Sequence, residues 1–174
     1  AWELDLWGGI RRNVEASTAA AESTADELAA AKLSLQAQLA QNYFLLRVQD
    51  AEIRLLQESA VRYERSLQLT RNQYRVGVAS RGDVVQAEAQ LMSTRAQALE
   101  AQVARAQFEH AIAVLIGKAP ADFYIAATPL NATFPAVPSA LPSELLERRP
   151  DIAAAERRMA AANAQIGVAE AAFY

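Results

Sequence analysis

Cysteine is absent from this 174-residue sequence, and histidine occurs once, at His110. The lack of cysteine excludes disulfides, thiolate catalysis and thiolate metal sites. A metal centre or a Ser-His nucleophile needs more partners than the sequence places near His110, so we expect an ordinary histidine on a helix face. No glycine-rich loop that could cradle a phosphate is present either. These absences predict a protein that is not an enzyme and that binds no cofactor and no metal.

The sequence also lacks any concentration of one charge and any long apolar run. Its 17 basic and 20 acidic residues give a net charge of −3, and they are interspersed without a basic block. Such a chain has no electrostatic footprint for nucleic acid or for an anionic membrane surface. No apolar run approaches the roughly 20 residues of a membrane-spanning helix, and no signal peptide opens the chain. Because the sequence begins in mid-pattern without methionine, we expect a segment of a longer protein.

Helix-forming residues dominate residues 10–75, a stretch without proline or glycine. Mostly apolar positions recur there in steps of three and four, which predicts a coiled-coil helix about 100 Å long. The predicted seam consists of Ala25, Leu28, Lys32, Leu35, Leu39, Asn42, Leu46, Gln49, Ile53, Leu56, Ala60, Tyr63, Leu67, Thr70 and Tyr74. Its polar members are interpreted first as residues that specify the register of the paired helices.

A break follows at residues 76–82, where two glycines permit a tight reversal of the chain. Either Asp83, or Ser80 before it, is expected to cap the next helix. This second helix is predicted over residues 83–116, and Gly117 is a natural residue to end it. Its apolar positions again recur in steps of three and four. The predicted seam is Val85, Ala89, Met92, Ala96, Leu99, Val103 and Ala106.

Prolines become frequent in residues 117–149, which predicts an irregular segment with one short strand near 123–125 and one helical turn near 143–147. Pro150 then opens a third helix that ends near residue 171. We therefore predict an all-α fold, with a long antiparallel α-helical hairpin and the third helix packed on it. Alternation over residues 2–7 is strand-like and predicts either a strand stub or an extended lead-in there. We expect strand stubs at the two chain ends.

Several stretches, in this order and at these spacings, resemble recurrent patterns of the TolC family of outer-membrane efflux proteins. The likeness is greatest to the drug-efflux branch that works with resistance-nodulation-division (RND) pumps, and it covers essentially the whole chain. The stretches are residues 2–8 (WELDLWG), 39–44 (LAQNYF), 74–80 (YRVGVAS) with 83–84 (DV), 111–117 (AIAVLIG), and 141–152 (LPSELLERRPDI) with 155–156 (AE).

The resemblance implies an organisation into four segments. Residues 1–9 would be the end of a membrane β-strand or a lead-in, and residues 10–116 the long hairpin with its tip turn at 76–82. Residues 117–149 would be a proline-rich equatorial segment, and residues 150–174 the third helix leading to the next membrane strand. In this family three protomers, each with two such repeats, form a membrane barrel continued by a periplasmic tunnel. The second repeat, the barrel strands and the lipid-bearing cysteine of many members would lie outside this sequence.

The resemblance also implies a function and a site. The chain would be the periplasmic tunnel segment of a trimeric outer-membrane efflux channel, a passive exit duct for drugs and toxic compounds. Val76, Gly77, Val78 and Ser80 at the tip would contact a periplasmic adaptor protein, which in turn joins the duct to an inner-membrane RND pump. Asp83 would be a helix cap, a gate latch to a neighbouring hairpin, or both. In a tunnel wall, the polar seam residues Lys32, Asn42, Gln49 and Thr70 could instead line solvent.

Simpler interpretations stand beside these expectations. The turn could be a plain connection between two helices. The acidic residues near Arg148 and Arg149 are expected to form caps and surface ion pairs, and the sequon at residues 131–133 is expected to be a chance match. A different class of function is a periplasmic adaptor or coiled-coil scaffold. An adaptor hairpin is flanked by lipoyl-like and β-barrel sequence, whereas this hairpin is followed by a proline-rich segment and a third helix. A membrane-remodelling module would need a basic face, which the balanced charge does not supply.

Overall fold

A computed structural model describes residues 4–129 and 144–173 of the chain. The helices are α1 (Gly9–Arg75), α2 (Arg81–Leu115), the single turn α3 (Glu144–Glu147) and α4 (Pro150–Ala171), with one 3-10 turn at Pro120–Asp122. The described residues fall into two compact units. The first contains residues 4–36 and 144–173, the second contains residues 37–129, and α1 supplies residues to both. The all-α prediction is confirmed, and the helix ends lie within two residues of those predicted.

The segment before α1 is not a strand. Residues 4–8 form bends and irregular backbone, and Asp5 turns back onto the start of the helix. Its carboxylate accepts hydrogen bonds from the backbone N–H groups of Ile10 and Arg11, at 3.0 and 2.9 Å. These bonds lower the pKa of Asp5, the bond from Arg11 most, and they satisfy donors that a helix start leaves free. The strand stub predicted for this end is therefore wrong within the described residues.

The first unit is held by a contact of small residues between α1 and α4. Ala16, Ala19 and Ser23 of α1 are buried, as are Ala154 and Ala164 of α4. The Ser23 hydroxyl donates to the backbone carbonyl of Ala154 at 3.1 Å, a bond that requires the two backbones to lie close. Exposed ion pairs flank this contact, joining Arg157 to Glu22 and Arg158 to Glu27.

The seam predicted for this part of α1 is wrong. Leu28, Lys32 and Leu35 are exposed, Leu28 by 72%. The reason is steric, because the alanine-rich face of α4 fits the stripe of Ala16, Ala19 and Ser23 more closely than a stripe of leucines. Small residues let two helices approach and interlock, whereas leucines on the same face would hold them apart.

The second unit is an antiparallel hairpin of α1 and α2. Three ion pairs cross between the helices: Asp50 to Arg105, Glu64 to Arg95, and Arg71 to Glu88. Their numbering runs in opposite directions along the two helices, which defines the antiparallel register. This register brings Leu67 and Leu91 to the same level, and both side chains are fully buried. On α1 the predicted seam is confirmed from Leu39 to Thr70, apart from the more exposed Tyr63.

The seam predicted for α2 is wrong, because α2 carries two apolar stripes and buries the other one. The stripe that faces α1 consists of Leu91, Thr94, Ala98, Ala101, Glu109, Ile112 and Ala113. The predicted stripe faces away from α1: Val85, Met92, Leu99 and Val103 are 56%, 53%, 62% and 60% exposed. The stripe with the smaller residues at its centre is the one buried against α1, because it permits closer packing and aligns arginines of α2 with carboxylates of α1.

The end of α2 matches the prediction. Gly117 has a φ of +73°, and its N–H bonds to the carbonyl of Val114, while Lys118 N–H bonds to the carbonyl of Ala113. This is the Schellman arrangement that a C′ glycine makes possible. The short strand predicted at residues 123–125 is wrong. The backbone there is extended, but its hydrogen bonds go to side chains of the hairpin rather than to a second strand.

The last part of the chain agrees with the sequence where it is described. Pro150 is the first residue of α4, and the N-cap position is occupied by Arg149, whose side chain makes no cap bond. Arg149 instead forms an exposed bidentate pair with Asp151, which lowers the pKa of that aspartate. Some predictions fall on residues 1–3, 130–143 and 174, which lie outside the described residues. Among them are the 131–133 sequon and residues 141–143 of the LPSELLERRPDI stretch.

Candidate functional site

The turn that joins α1 and α2 is fixed by its own backbone. Gly77 has a φ of +80°, a value that costs a residue with a side chain about 1 kcal/mol or more. Its N–H donates to the carbonyl of Tyr74 at 3.0 Å, and Val78 N–H donates to the carbonyl of Gln73 at 2.9 Å. These two bonds form a Schellman motif, with Gly77 at the C′ position. The tip is therefore a defined structure rather than a loose connection.

The start of α2 is fixed by a capping box. Ser80 is the N-cap, and its hydroxyl oxygen accepts the backbone N–H of Asp83 at 3.2 Å. In return, the Asp83 carboxylate accepts the backbone N–H and the hydroxyl of Ser80, both at 2.8 Å. Of the two caps considered from the sequence, Ser80 is the cap residue and Asp83 is its reciprocal partner one turn into the helix. The bonds from Ser80 lower the pKa of Asp83, the backbone bond most.

The tip presents side chains rather than free backbone donors. Val76 and Val78 are 73% and 76% exposed, among the largest exposures of apolar residues in the described chain. Every backbone N–H from Val76 to Ser80 donates within the hairpin. The acceptors are carbonyls at the end of α1 for Val76 to Ala79 and the Asp83 carboxylate for Ser80. The turn offers two projecting valines on a rigid support.

A second constellation, which the sequence reasoning missed, lies in the same unit at the other end of α2. Arg47, Asp50, Arg105 and Glu109 form a buried ion network, with side chains 4–14% exposed. Asp50 accepts from Arg47 at 2.8 Å and from Arg105 at 2.7 Å, and Arg105 also reaches Glu109 at 3.1 Å. Two cations and two anions leave the network without net charge, which is what burial of charges requires.

The buried ion network holds the extended segment after Asp122. Glu109 accepts the N–H of Ile125 at 2.6 Å, Arg105 donates to the carbonyl of the same residue, and Arg47 donates to the carbonyl of Ala126 at 2.7 Å. Burial opposes the charged forms of both arginines, but hydrogen bonds and charges of their neighbours outweigh it and raise their pKa values. Asp50 is such a neighbour of both. The network thus supplies the backbone hydrogen bonds that a neighbouring strand would otherwise have to supply to this extended segment.

A signal for the network was present in the sequence. Arg47 and Asp50 are three residues apart, and Arg105 and Glu109 are four apart, the spacings at which side chains meet on one helix face. Their pairing with each other depends on the register of the hairpin, which the wrong α2 seam concealed. Elsewhere in the described residues, His110 is exposed on α2 as expected, and no group of three or more potential metal ligands comes together.

The chain matches known proteins along its whole length. The sequence profile of the family described as outer membrane efflux protein covers residues 1–118, more than half of the chain. The chain belongs to this outer membrane efflux protein family. A relative in the family is the probable efflux pump outer membrane protein TtgC of Pseudomonas putida, which is 38% identical over 178 residues. That match covers all of this chain and 36% of the relative.

Solved structures in the family agree with the fold. The outer-membrane channel OprN superposes with a TM-score of 0.93 at 38% identity, covering 99% of this chain and 39% of that one. The Neisseria gonorrhoeae MtrE channel, in a structure described as its open state, superposes with a TM-score of 0.79 at 36% identity, covering 99% and 39%. The chain thus spans a little over a third of the length of the relatives it matches. Among the described helices, none has a stretch long and apolar enough to cross a membrane.

Proposed function

We propose that this chain forms part of the helical wall of an outer-membrane efflux channel, in the periplasm, and acts as a passive duct without catalysing a reaction. Family membership supports the channel over the adaptor or scaffold that the sequence left open. The observation that carries the proposal is the second apolar stripe of α2. After the hairpin has closed, Val85, Met92, Leu99 and Val103 remain more than half exposed.

Such a stripe indicates a helix built for neighbours on two sides. Ala89 and Ala96 lie on the same face and are also exposed, so the stripe continues over about five turns of α2. A contiguous apolar surface of this kind marks an interaction site rather than a solvated face. In the proposed channel it packs against helices of the same assembly, whose three copies and second repeat close the wall. The exported compounds would pass through this wall's lumen to the exterior.

Three of the four segments predicted from the sequence keep their roles in this proposal, and the first is a lead-in to α1 rather than the end of a strand. Residues 1–9 and 150–174 connect the tunnel to membrane strands, and residues 10–116 are the hairpin. Residues 117–149 form the equatorial segment, of which residues 123–126 are held by the buried ion network. The duct opens through realignment of helices under the action of its partner proteins.

The tip is the proposed contact with the periplasmic adaptor of an RND pump. The rigidity of the turn and the exposure of its valines support this role for Val76, Gly77, Val78 and Ser80. A preorganised surface loses little conformational entropy when a partner binds. Asp83 keeps both proposed roles, since its Oδ2 serves the capping box while Oδ1 makes no bond within the described residues. That oxygen is available for an arginine or tyrosine of a neighbouring hairpin.

The proposal is tested by crosslinking in the full-length trimeric channel of which we propose this chain to be part. A cysteine at Val78 is reacted with the adaptor hairpin carrying a second cysteine, and a cysteine at Tyr124 is the control. The two side chains are similarly exposed, at 76% and 74%, but Tyr124 lies in the segment held by the buried ion network. We expect crosslinks from Val78 only. Crosslinks from Tyr124 with none from Val78 would place the adaptor at the equatorial segment and reject the tip as its contact.

A further inference from the structure

The end of the hairpin that carries the turn differs in charge from the chain around it. Residues 62–95 contain six arginines, no lysine and three carboxylates, whereas the whole chain has a net charge of −3. This excess is not a basic run in the sequence, because its members are spread over both helices and meet only when the hairpin folds. The folded tip is therefore a positively charged end on an acidic chain.

All three of these carboxylates are engaged inside the hairpin. Glu64 pairs with Arg95, and Glu88 pairs with Arg71 at 2.8 Å. Asp83 is held by Ser80 in the capping box. Glu64 and Glu88 thus neutralise two of the six arginines, and Arg62 pairs with Glu58 of the same helix. The other three arginines pair with no carboxylate within the described residues, so their charge is free to act outside the hairpin.

Two of the remaining arginines flank the exposed valines directly. Arg75 is the last residue of α1 and Arg81 the first of α2, so they stand on either side of residues 76–80. Both are exposed. Arg75 donates to the amide oxygen of Asn72 at 2.8 Å, a neutral partner, and neither arginine pairs with a carboxylate within the described part of the chain.

We propose that Arg75 and Arg81 recognise carboxylates on the tip of the adaptor hairpin, on either side of an apolar contact with Val76 and Val78. The inference rests on the proposed function of the tip and adds the chemistry of the partner. Guanidinium groups bind carboxylates through paired hydrogen bonds, with a geometry that ammonium groups do not offer. Charges at the rim of a contact steer association and select partners more than they add affinity. An adaptor without acidic residues at its tip would therefore be a poor match.

The test measures binding of the adaptor hairpin to the full-length channel by surface plasmon resonance over a series of salt concentrations. The channel carries Arg75→Glu with Arg81→Glu, and the matched control carries Arg65→Glu. Arg65 is an exposed arginine of α1 that pairs with no carboxylate among the residues described, and it lies about 15 Å before Arg75 along the helix. We expect the double variant to weaken binding about tenfold at low salt, mainly through slower association. Added salt should weaken binding of the unaltered channel but strengthen binding of the double variant, because it screens the new repulsion. Arg65→Glu should leave the affinity at low salt and its salt dependence nearly unchanged.

Two further variants separate the possible outcomes. An adaptor hairpin whose tip Asp and Glu residues are changed to Asn and Gln should bind the unaltered channel and the double variant equally well. Val78→Asp should abolish binding if the tip is the contact. Loss of binding in Val78→Asp with no effect of the arginine variants would overturn the charge proposal and leave the tip contact standing. An unaffected Val78→Asp variant would reject the tip itself. A double variant that only weakens trimer stability, or only binding to anionic phospholipid vesicles, would also contradict the proposal.

Discussion

The turn and the buried ion network solve the same problem in opposite ways. Each holds a non-helical segment of the second unit against helices by satisfying its backbone groups. At the turn the partners are backbone carbonyls and one short capping pair, and the valines are left outside. In the network the partners are charged side chains of α1 and α2, buried with the segment they hold. The network thus fixes the fold, whereas the turn displays a surface.

The ion pairs between α1 and α2 show the same difference. Asp50 pairs with Arg105 at a site where the two side chains are 4% and 14% exposed. Towards the tip, the pairs of Glu64 with Arg95 and of Arg71 with Glu88 are about half exposed. Exposed pairs contribute at most about 1 kcal/mol, whereas removing one partner of a buried pair is costly. The hairpin should therefore be firmly locked at the network and more easily realigned near the tip.

Removing Asp50 should have the largest effect of any single change. Asp50→Ala leaves Arg47 and Arg105 buried without their shared carboxylate, which should lower the free energy of unfolding by roughly 3–5 kcal/mol. The control Glu64→Ala breaks an exposed pair on the same helix and should cost about 1 kcal/mol at most. Denaturant unfolding of the chain measures both. Equal effects of the two variants would show that the network is no stronger than the pairs near the tip.

Leucine truncations should distinguish the two stripes of α2. Leu91 is 1% exposed and Leu99 is 62% exposed. Leu91→Ala should cost about 2–5 kcal/mol of unfolding free energy, because it opens a cavity in the hairpin core. Leu99→Ala should change the stability of the isolated chain by about 0.5 kcal/mol or less. A larger effect of Leu99→Ala than of Leu91→Ala would show that the stripe predicted from the sequence, and not the stripe with Leu91, is buried against α1.

The two glycines of the turn should respond to alanine in opposite directions. Gly77→Ala places a side chain at a φ of +80° and should destabilise the chain by roughly 1–2 kcal/mol. Gly82 lies in the first turn of α2 without a positive φ, and a Cβ there would meet only the Ser80 hydroxyl, at 3.4 Å. Gly82→Ala should be neutral or stabilise by up to about 1 kcal/mol. Thermal unfolding of the two variants gives the comparison, and a harmless Gly77→Ala would contradict the rigid turn.

The capping box should give the smallest effect, and it should depend on pH. Ser80→Ala should cost about 1 kcal/mol. Because the pKa of Asp83 is lowered in the folded chain, its contribution is complete above the unfolded pKa of about 3.9. The contribution is lost as the pH falls through the lower folded value. The protection of the amides of residues 81–84, measured relative to their intrinsic exchange rate at each pH, should therefore fall below about pH 4 in the unaltered chain. Asp83→Asn should remove this added dependence, and an unchanged pH profile would contradict the cap.

The sequence was sufficient for the helices but not for their faces. Proline and glycine positions predicted the ends of α1, α2 and α4 because these residues act locally, through φ and the missing N–H. Which stripe of a helix is buried depends on the partner helix, and both stripes of α2 have helical spacing. The sequence therefore could not decide between Leu91 and Leu99, nor show that Arg105 meets Asp50. The site residues Val76, Gly77, Val78 and Ser80 were found through resemblance, and their rigidity appeared only in the backbone bonds.

The most direct test of the channel wall is the reactivity of a cysteine at Leu99 in the full-length protein in cell envelopes. The 174 residues contain no natural cysteine, so a label found by peptide mapping within them reports on that position alone. Leu99 is 62% exposed in this chain, but in the proposed duct its stripe packs against neighbouring helices. A water-soluble maleimide should therefore label the Leu99→Cys chain freely after denaturation and hardly at all in the native assembly. If Leu99→Cys were labelled in the native assembly as fast as Val78→Cys without adaptor, the stripe would not be packed inside a channel wall, and the proposal would be wrong.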